Sequence, residues 1–285
     1  MSLAGSGGGV LESEYWVQYA QARIFADTGN RVSVRDKLKS LTKFGRTLNA
    51  DANVKTTVGQ FQGLTVVNET FATGNTIDYL VSDNNSDAGN VTVEGHTVDG
   101  SGDRTFVVQT RALTGHTPAA LATPLFRATR IYRTNGTYAS PAADLAGNVY
   151  VYDSTLATGV TSGVPDVATA TKVMIAAGEQ QSHKCATSLS SVDYWILTYA
   201  SAGLIRSAGA NASVDVDIEV RELGGVWRPL GLEISLSKTG TAFIRYEFKP
   251  YFIIPPNSDV RMVATSDTDN TTVQGSIGGA LAIIA

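Results

Sequence analysis

Three groups of residues have the types and spacing for chemistry. Asp83, Asn85 and Asp87, with Glu94 eleven residues after Asp83, repeat the ligand spacing of a calcium loop. The glycine of the sharp turn falls one place late, at Gly89 rather than at residue 88, and both flanks alternate as strands do. The plainer reading is a turn, because Asp and Asn tolerate turn geometry and bond their own backbone. Asp99-Gly-Ser-Gly-Asp103 is a second turn of that kind. His183 and Cys185 share one face if the chain is extended there. A thiol nucleophile needs its base within hydrogen-bond reach and a third group to orient that base. Same-face neighbours on a strand lie about 6.5 Å apart, too far for this. A cysteine packed as a small apolar residue is the simpler reading. Asp215, Asp217 and Glu219 form an acidic row that offers the carboxylate pair of a glycoside hydrolase. Their alternation with Val214, Val216 and Ile218 makes the row the wet face of a half-buried strand instead.

His96 and His116 stand alone, without the paired spacing of a zinc site. No GxSxG elbow, phosphate loop or GxGxxG turn is present. No catalytic, cofactor-binding or metal-binding residue is therefore assigned, and the chain is expected not to be an enzyme and to need no cofactor.

What the sequence does offer is a docking surface near its start. Arg31, Arg35, Lys37, Lys39, Lys43 and Arg46 are opposed only by Asp36 over residues 31–46, whereas residues 61–285 hold 14 bases and 21 acids. An apolar face of Leu11, Tyr15, Tyr19, Ala22 and Ala26 predicts one short helix. Ser33 with Asp36 as a weak capping box, then Val34, Leu38 and Leu41, predicts a second that ends at Gly45. Two such helices are too short to persist alone, so they read as an arm that orders on a partner. The candidate docking residues are Tyr15, Trp16, Tyr19, Arg35, Lys37, Leu38, Lys39, Leu41, Phe44 and Arg46.

The rest of the chain must position that arm. Charged residues make up 17% of the 285, with 28 Gly and 8 Pro, a composition of short strands and turns rather than of coiled coil or disorder. Period-two runs at 76–82, 90–94, 104–110, 125–132, 148–152, 214–221, 243–248 and 260–264 are separated by turn signals such as Asp99-Gly100 and Asn135-Gly136. The expected fold is all-β, a sandwich or jelly-roll body behind an arm of short helices. Residues 1–60 form the arm, 61–153 one β unit, 154–170 a linker or long surface loop with a single charge, and 171–285 a second unit. One cysteine permits no internal disulfide. The first sixteen residues lack the basic and apolar regions of a signal peptide, and Ala280–Ala285 is too short to span a bilayer. A protein made in a reducing cytosol is expected, with neither membrane nor nucleic acid as partner.

Ser40-Leu-Thr-Lys-Phe-Gly-Arg46 resembles a segment of tailed-phage virion proteins of the marine and environmental type. Asp78-Tyr-Leu-Val-Ser-Asp83, Val91-Thr-Val-Glu-Gly-His-Thr-Val-Asp-Gly100, Arg127-Ala-Thr-Arg-Ile-Tyr132 and Asn257-Ser-Asp-Val-Arg-Met-Val-Ala264 are similar to that type as well. The resemblance implies a structural component of a phage particle, located in the virion. A capsid decoration or cement protein on the major capsid protein lattice is the first expectation, self-associated as a trimer. A tail or neck component is the second, and a β enzyme acting on polysaccharide a distant third.

Overall fold

In the computed structural model the described residues are 32–33, 39–60, 72–134, 136–137, 140–141, 144–206, 212–239 and 242–284. They are built almost wholly of antiparallel strands, and the one helical turn among them is the 3-10 turn Ala168–Ala170. The period-two runs become strands for the reason the pattern implies. Along Ser213–Arg221 the row Val214, Val216 and Ile218 is buried while Asp215 on the opposite face is exposed. The hairpin of Ala88–Val98 and Arg104–Thr114 closes over Asp99, whose Oδ1 accepts the backbone N–H groups of Ser101 and Asp103.

The strands assemble into two sandwiches. In the first, the sheet Thr171–Ile175, Val149–Asp153, Ile77–Ser82, Ala119–Leu125 packs on the sheet Arg104–Thr114, Ala88–Val98, Arg127–Arg133. Leu80, Val91, Val93, Leu125, Ile131, Val151 and Val173 fill the space between them. In the second, Thr271–Ile284, Asp193–Arg206 and Phe243–Ile254 face a sheet of Ala186–Ser188, Asp259–Ser266, Ser213–Arg221 and Arg228–Ser237. Its core holds Trp195, Leu197, Val216, Ile234, Phe248, Met262 and Ile277. Burying each such side chain contributes about 1.5–3 kcal/mol.

Three expectations change. Residues 39–50 do not belong to a helix: Lys39–Ala50 is a strand paired with Thr271–Ile284, from Lys39 opposite Leu281 to Thr47 opposite Val273. Lys43, Gly45 and Thr47 turn inward, and Thr42, Phe44 and Leu48 turn outward. The three-and-four spacing of Val34, Leu38 and Leu41 is a local signal, and pairing with a distant partner overrides it. Gly45 ends no helix. A Cβ there would lie 2.2 Å from the Val58 carbonyl oxygen and 2.4 Å from the Cys185 nitrogen, so glycine permits a close crossing of backbones.

The unit boundaries move as well. Thr171–Ile175 pairs with Val149–Asp153 and so completes the first sandwich. Thr56–Thr57 joins the Asp259–Ser266 strand of the second, to which the Lys39–Ala50 strand also belongs. The first sandwich is thus inserted between early and late strands of the second. The third change is at 154–170, which is not a spacer. Val160–Thr161 and Val164–Pro165 form a small hairpin, and Ala157, Val160, Val164 and Val167 pack on Val81, Tyr150, Tyr152 and Met174. The first expected helix, with Leu11, Ala22 and Ala26, lies outside the described residues, as do Tyr15, Trp16, Tyr19, Arg35, Lys37 and Leu38.

Candidate functional site

The two sandwiches meet over a buried carboxylate. Asp259, at the start of its strand, is fully buried. Its Oδ1 accepts Nη1 of Arg104 at 2.8 Å, Nε of Arg127 at 3.2 Å and the Ser188 hydroxyl at 2.7 Å. Its Oδ2 accepts Nη2 of Arg127 at 3.1 Å and Nη2 of Arg221 at 2.7 Å. Arg104 and Arg127 come from the first sandwich, and Arg221, Ser188 and Asp259 from the second. Burial alone would raise the Asp259 pKa. The charges and hydrogen bonds of Arg127, Arg104 and Arg221 outweigh it and hold the carboxyl well below its usual range. Arg127 lies 3.6 Å from the Phe126 ring centroid and donates to the carbonyls of Ala72 and Phe126.

Beside this hub a cleft of about 800 Å³ opens between the sandwiches. Lys43 and Phe44 of the Lys39–Ala50 strand, His96, Arg104, Arg130 and the 181–193 segment line it. Lys43 is 7% exposed. Burial lowers its pKa to about 8, with Arg130 and Lys184 acting in the same direction and Glu94 and Cys185 against it. Burial, then Arg104 and Lys43, lowers His96 to about 3, so its ring is neutral at pH 7. The site therefore gathers positive charge at a junction.

A buried ammonium whose pKa falls on folding costs stability while it is charged. Lys43→Met is expected to stabilise the protein at pH 7 by on the order of 2–3 kcal/mol. The native state loses its proton first, so the gap between variant and parent should close as pH rises from 8 toward about 10.4. Urea unfolding of both proteins across that range checks it, and a gap independent of pH would reject it.

The other sequence candidates go elsewhere. Asp83 accepts from the backbone and side chain of Asn148 and from the Tyr150 hydroxyl. Asp87 accepts from Ser82 and from the backbone of Ala146 and Gly147. The two carboxylates tie their loop to residues 146–150, and Glu94 faces Arg130 at 3.8 Å. Cys185 is buried and its thiol is pushed up to about 12 by that burial, while His183 faces Glu179 and the ring of Phe44. The acidic row is only partly wet. Glu219 stands directly opposite Arg261 of the Asp259–Ser266 strand and is covered there, with Lys55 and Arg261 donating to it at 2.7 and 2.8 Å. Among the described residues no group of three or more His, Cys, Asp and Glu is placed to hold a metal ion.

Of the docking candidates within the described residues, Lys39 lies on the strand, Leu41 packs against the second core, Phe44 is 43% exposed, and Arg46 pairs with Glu179 at 3.2 Å. Sequence reasoning missed Arg104, Arg127, Arg221 and Asp259. Their one signal is a charge set beside apolar strand residues, as in Phe126-Arg127-Ala128 and Asp259-Val260.

No known protein family matches the chain, and no curated protein does. Among solved structures it is similar to the T13 viral particle of infectious bursal disease virus, at 12% identity over 95% of this chain and 77% of that one, with a TM-score of 0.22. The VP2 subviral particle of the same virus gives 9% identity, coverage of 93% and 77%, and a TM-score of 0.23. A carbohydrate-binding module of the β-sandwich superfamily gives 9%, 87% and 98%, with a TM-score of 0.19. Similarity at this level does not assign a function.

Proposed function

We propose that this chain is a structural protein of a phage particle, a decoration or cement protein seated on the major capsid protein lattice. The observation that carries the reading is the pairing of a double sandwich with apolar groups left on its edge strands. Phe106 and Val108 on Arg104–Thr114 are about half exposed, as are Phe243 and Tyr246 on Phe243–Ile254. Exposed large apolar residues on open edges favour lateral association over independence. The segments resembling phage virion proteins support the same reading. In it the protein turns over no substrate, associates with itself as a trimer through those edges, and grips the lattice with the segment that contains Tyr15, Trp16 and Tyr19. Repetition over a shell multiplies a modest contact by avidity.

Particles stripped of this protein and offered the full chain supply the test. Several hundred bound copies per particle are expected, and Trp16→Ala should weaken docking by about 2 kcal/mol per copy, as aromatic anchors commonly do. A dozen copies or fewer would place the protein in the tail or neck. Failure to bind any particle would overturn the reading.

A further inference from the structure

One edge of the second sandwich lacks the devices that close its neighbour. Among the described residues the Phe243–Ile254 strand ends its sheet and pairs with Asp193–Arg206 alone. The last strand of the facing sheet, Arg228–Ser237, is interrupted by Pro229 and by Gly231 at a φ of +76°, beside a register shift. Breaks of that kind keep an edge from templating another strand. Residues 243–247 contain none. The regular stretch stops beyond Glu247, at a register shift and at Pro250, which has no N–H to give. The phase of the hydrogen bonds fixes what this stretch offers. Leu204 donates its backbone N–H to the Ala242 carbonyl at 2.8 Å. In the same register Ala202 stands opposite Ile244 and Ala200 opposite Tyr246, so Ile244 and Tyr246 bond back into the sheet. The N–H and C=O groups of Phe243, Arg245 and Glu247 therefore point to the open side. Arg245 and Glu247 share the outer face, 3.7 Å apart, with 55% and 61% of their side chains exposed. Tyr246 lies on the other face, 49% exposed, its ring 5.8 Å from that of buried Phe248.

We propose that two copies of this chain join by antiparallel pairing of residues 243–247 about a two-fold axis at Tyr246. Two identical edges must centre on a residue rather than between residues, since only then do outward backbone groups meet outward groups. Centred on Arg245, the pairing sets guanidinium against guanidinium. Centred on Glu247, it sets carboxylate against carboxylate and Arg245 against Lys249. Like charges directly opposite destabilise a strand pair. Centred on Ile244, it leaves Glu247 opposite residue 241, before the strand begins. Centred on Tyr246, Arg245 faces Glu247 on both sides of the axis, and each such pair exchanges both backbone hydrogen bonds. Ile244 then faces Phe248, and the two Tyr246 side chains meet at the closer, non-hydrogen-bonded position and cover one another. The charges that forbid the neighbouring registers select this one. Such a contact is self-complementary and closes after two copies. It deepens the self-association of the particle reading and rests on that reading for its place, joining one trimer to the next; the pairing itself needs no particle.

Oxidation of the full chain carrying Tyr246→Cys or Phe243→Cys, without particles, tests it. Tyr246→Cys sets its two thiols across the axis, at a separation that a disulfide spans. It should run at twice the chain mass on a denaturing gel and return to single mass with reductant. Phe243 is more exposed, at 57%, but stands opposite Lys249 of the other copy, so Phe243→Cys should stay single. Cys185 is buried and takes no part. Sedimentation of variants without added cysteine reads the charges. Arg245→Glu or Glu247→Arg alone should weaken association about tenfold, because each change acts twice across the axis. Both exchanges together should restore the parent's association, which no other register predicts. Absence of the Tyr246→Cys cross-link overturns the proposal, and so does equal cross-linking of the two cysteine variants. Failure of the double exchange to restore association overturns it as well. No particle enters these measurements, so their failure leaves the binding to stripped particles standing as the separate test of the particle reading.

Discussion

Asp259→Ala should destabilise the protein by about 3–5 kcal/mol, the cost of leaving buried cations without their counter-charge. Three guanidinium groups converge on this one carboxylate, from Arg104, Arg127 and Arg221. Removing it leaves like charges facing one another where water does not reach. The substitution also cuts the bond between the sandwiches, because two of the arginines belong to the first and the carboxylate to the second. Calorimetry should therefore show the melting of the two sandwiches further apart in the variant than in the parent. The pH dependence follows from the direction of the shift. The folded-state pKa of Asp259 lies below its unfolded value, so its contribution is complete above about pH 4 and is lost progressively as pH falls further. Asp259→Ala should be correspondingly flat in that range. A variant with the parent's midpoint and acid sensitivity would show that the hub does not hold the units together.

The second large effect belongs to Gly45. Gly45→Ala adds one methyl group, and it would meet backbone on two sides, at Val58 and Cys185. Backbone atoms in registered strands cannot rotate aside as a flexible side chain does. A loss of about 3 kcal/mol is expected from overpacking, measured by denaturant midpoint, with soluble yield falling in step. In the expected helix Gly45 would instead hold the left-handed C-terminal position, where alanine costs about 1 kcal/mol. The size of the effect separates the two structures. A loss of about 1 kcal/mol or less would mean that Lys39–Ala50 is not a strand.

These two sites also show what was legible in the sequence. Ser213–Arg221 was readable because its alternation needs no knowledge of its neighbours: valine and isoleucine every second residue specify one dry face. Lys39–Ala50 was not, because its partner, Thr271–Ile284, lies more than two hundred residues along the chain. Its own inward row, Leu41, Lys43, Gly45 and Thr47, carries a single apolar side chain. Glu219 reads as solvent-facing, but Arg261, opposite it on the neighbouring strand, and Lys55 cover it. Asp259 reads as an ordinary strand-leading acid, since nothing local says that three arginines from separate strands will reach it. Strand existence is a local property, whereas pairing and ion clustering are set by the fold.

The insertion of one sandwich within another has a consequence for how the molecule comes into being. During synthesis residues 72–182 emerge with nearly all their partners already available, whereas Lys39–Ala50 pairs with Thr271–Ile284, made more than two hundred residues later. Closing so long a loop is entropically slow, and contacts of such separation retard folding. The ribosome therefore releases a chain whose inner body can already be compact while an outer strand waits with its edge unpaired. For that interval the nascent protein presents an open strand template, and crowding or early contact with other copies during translation is where its misassembly would begin.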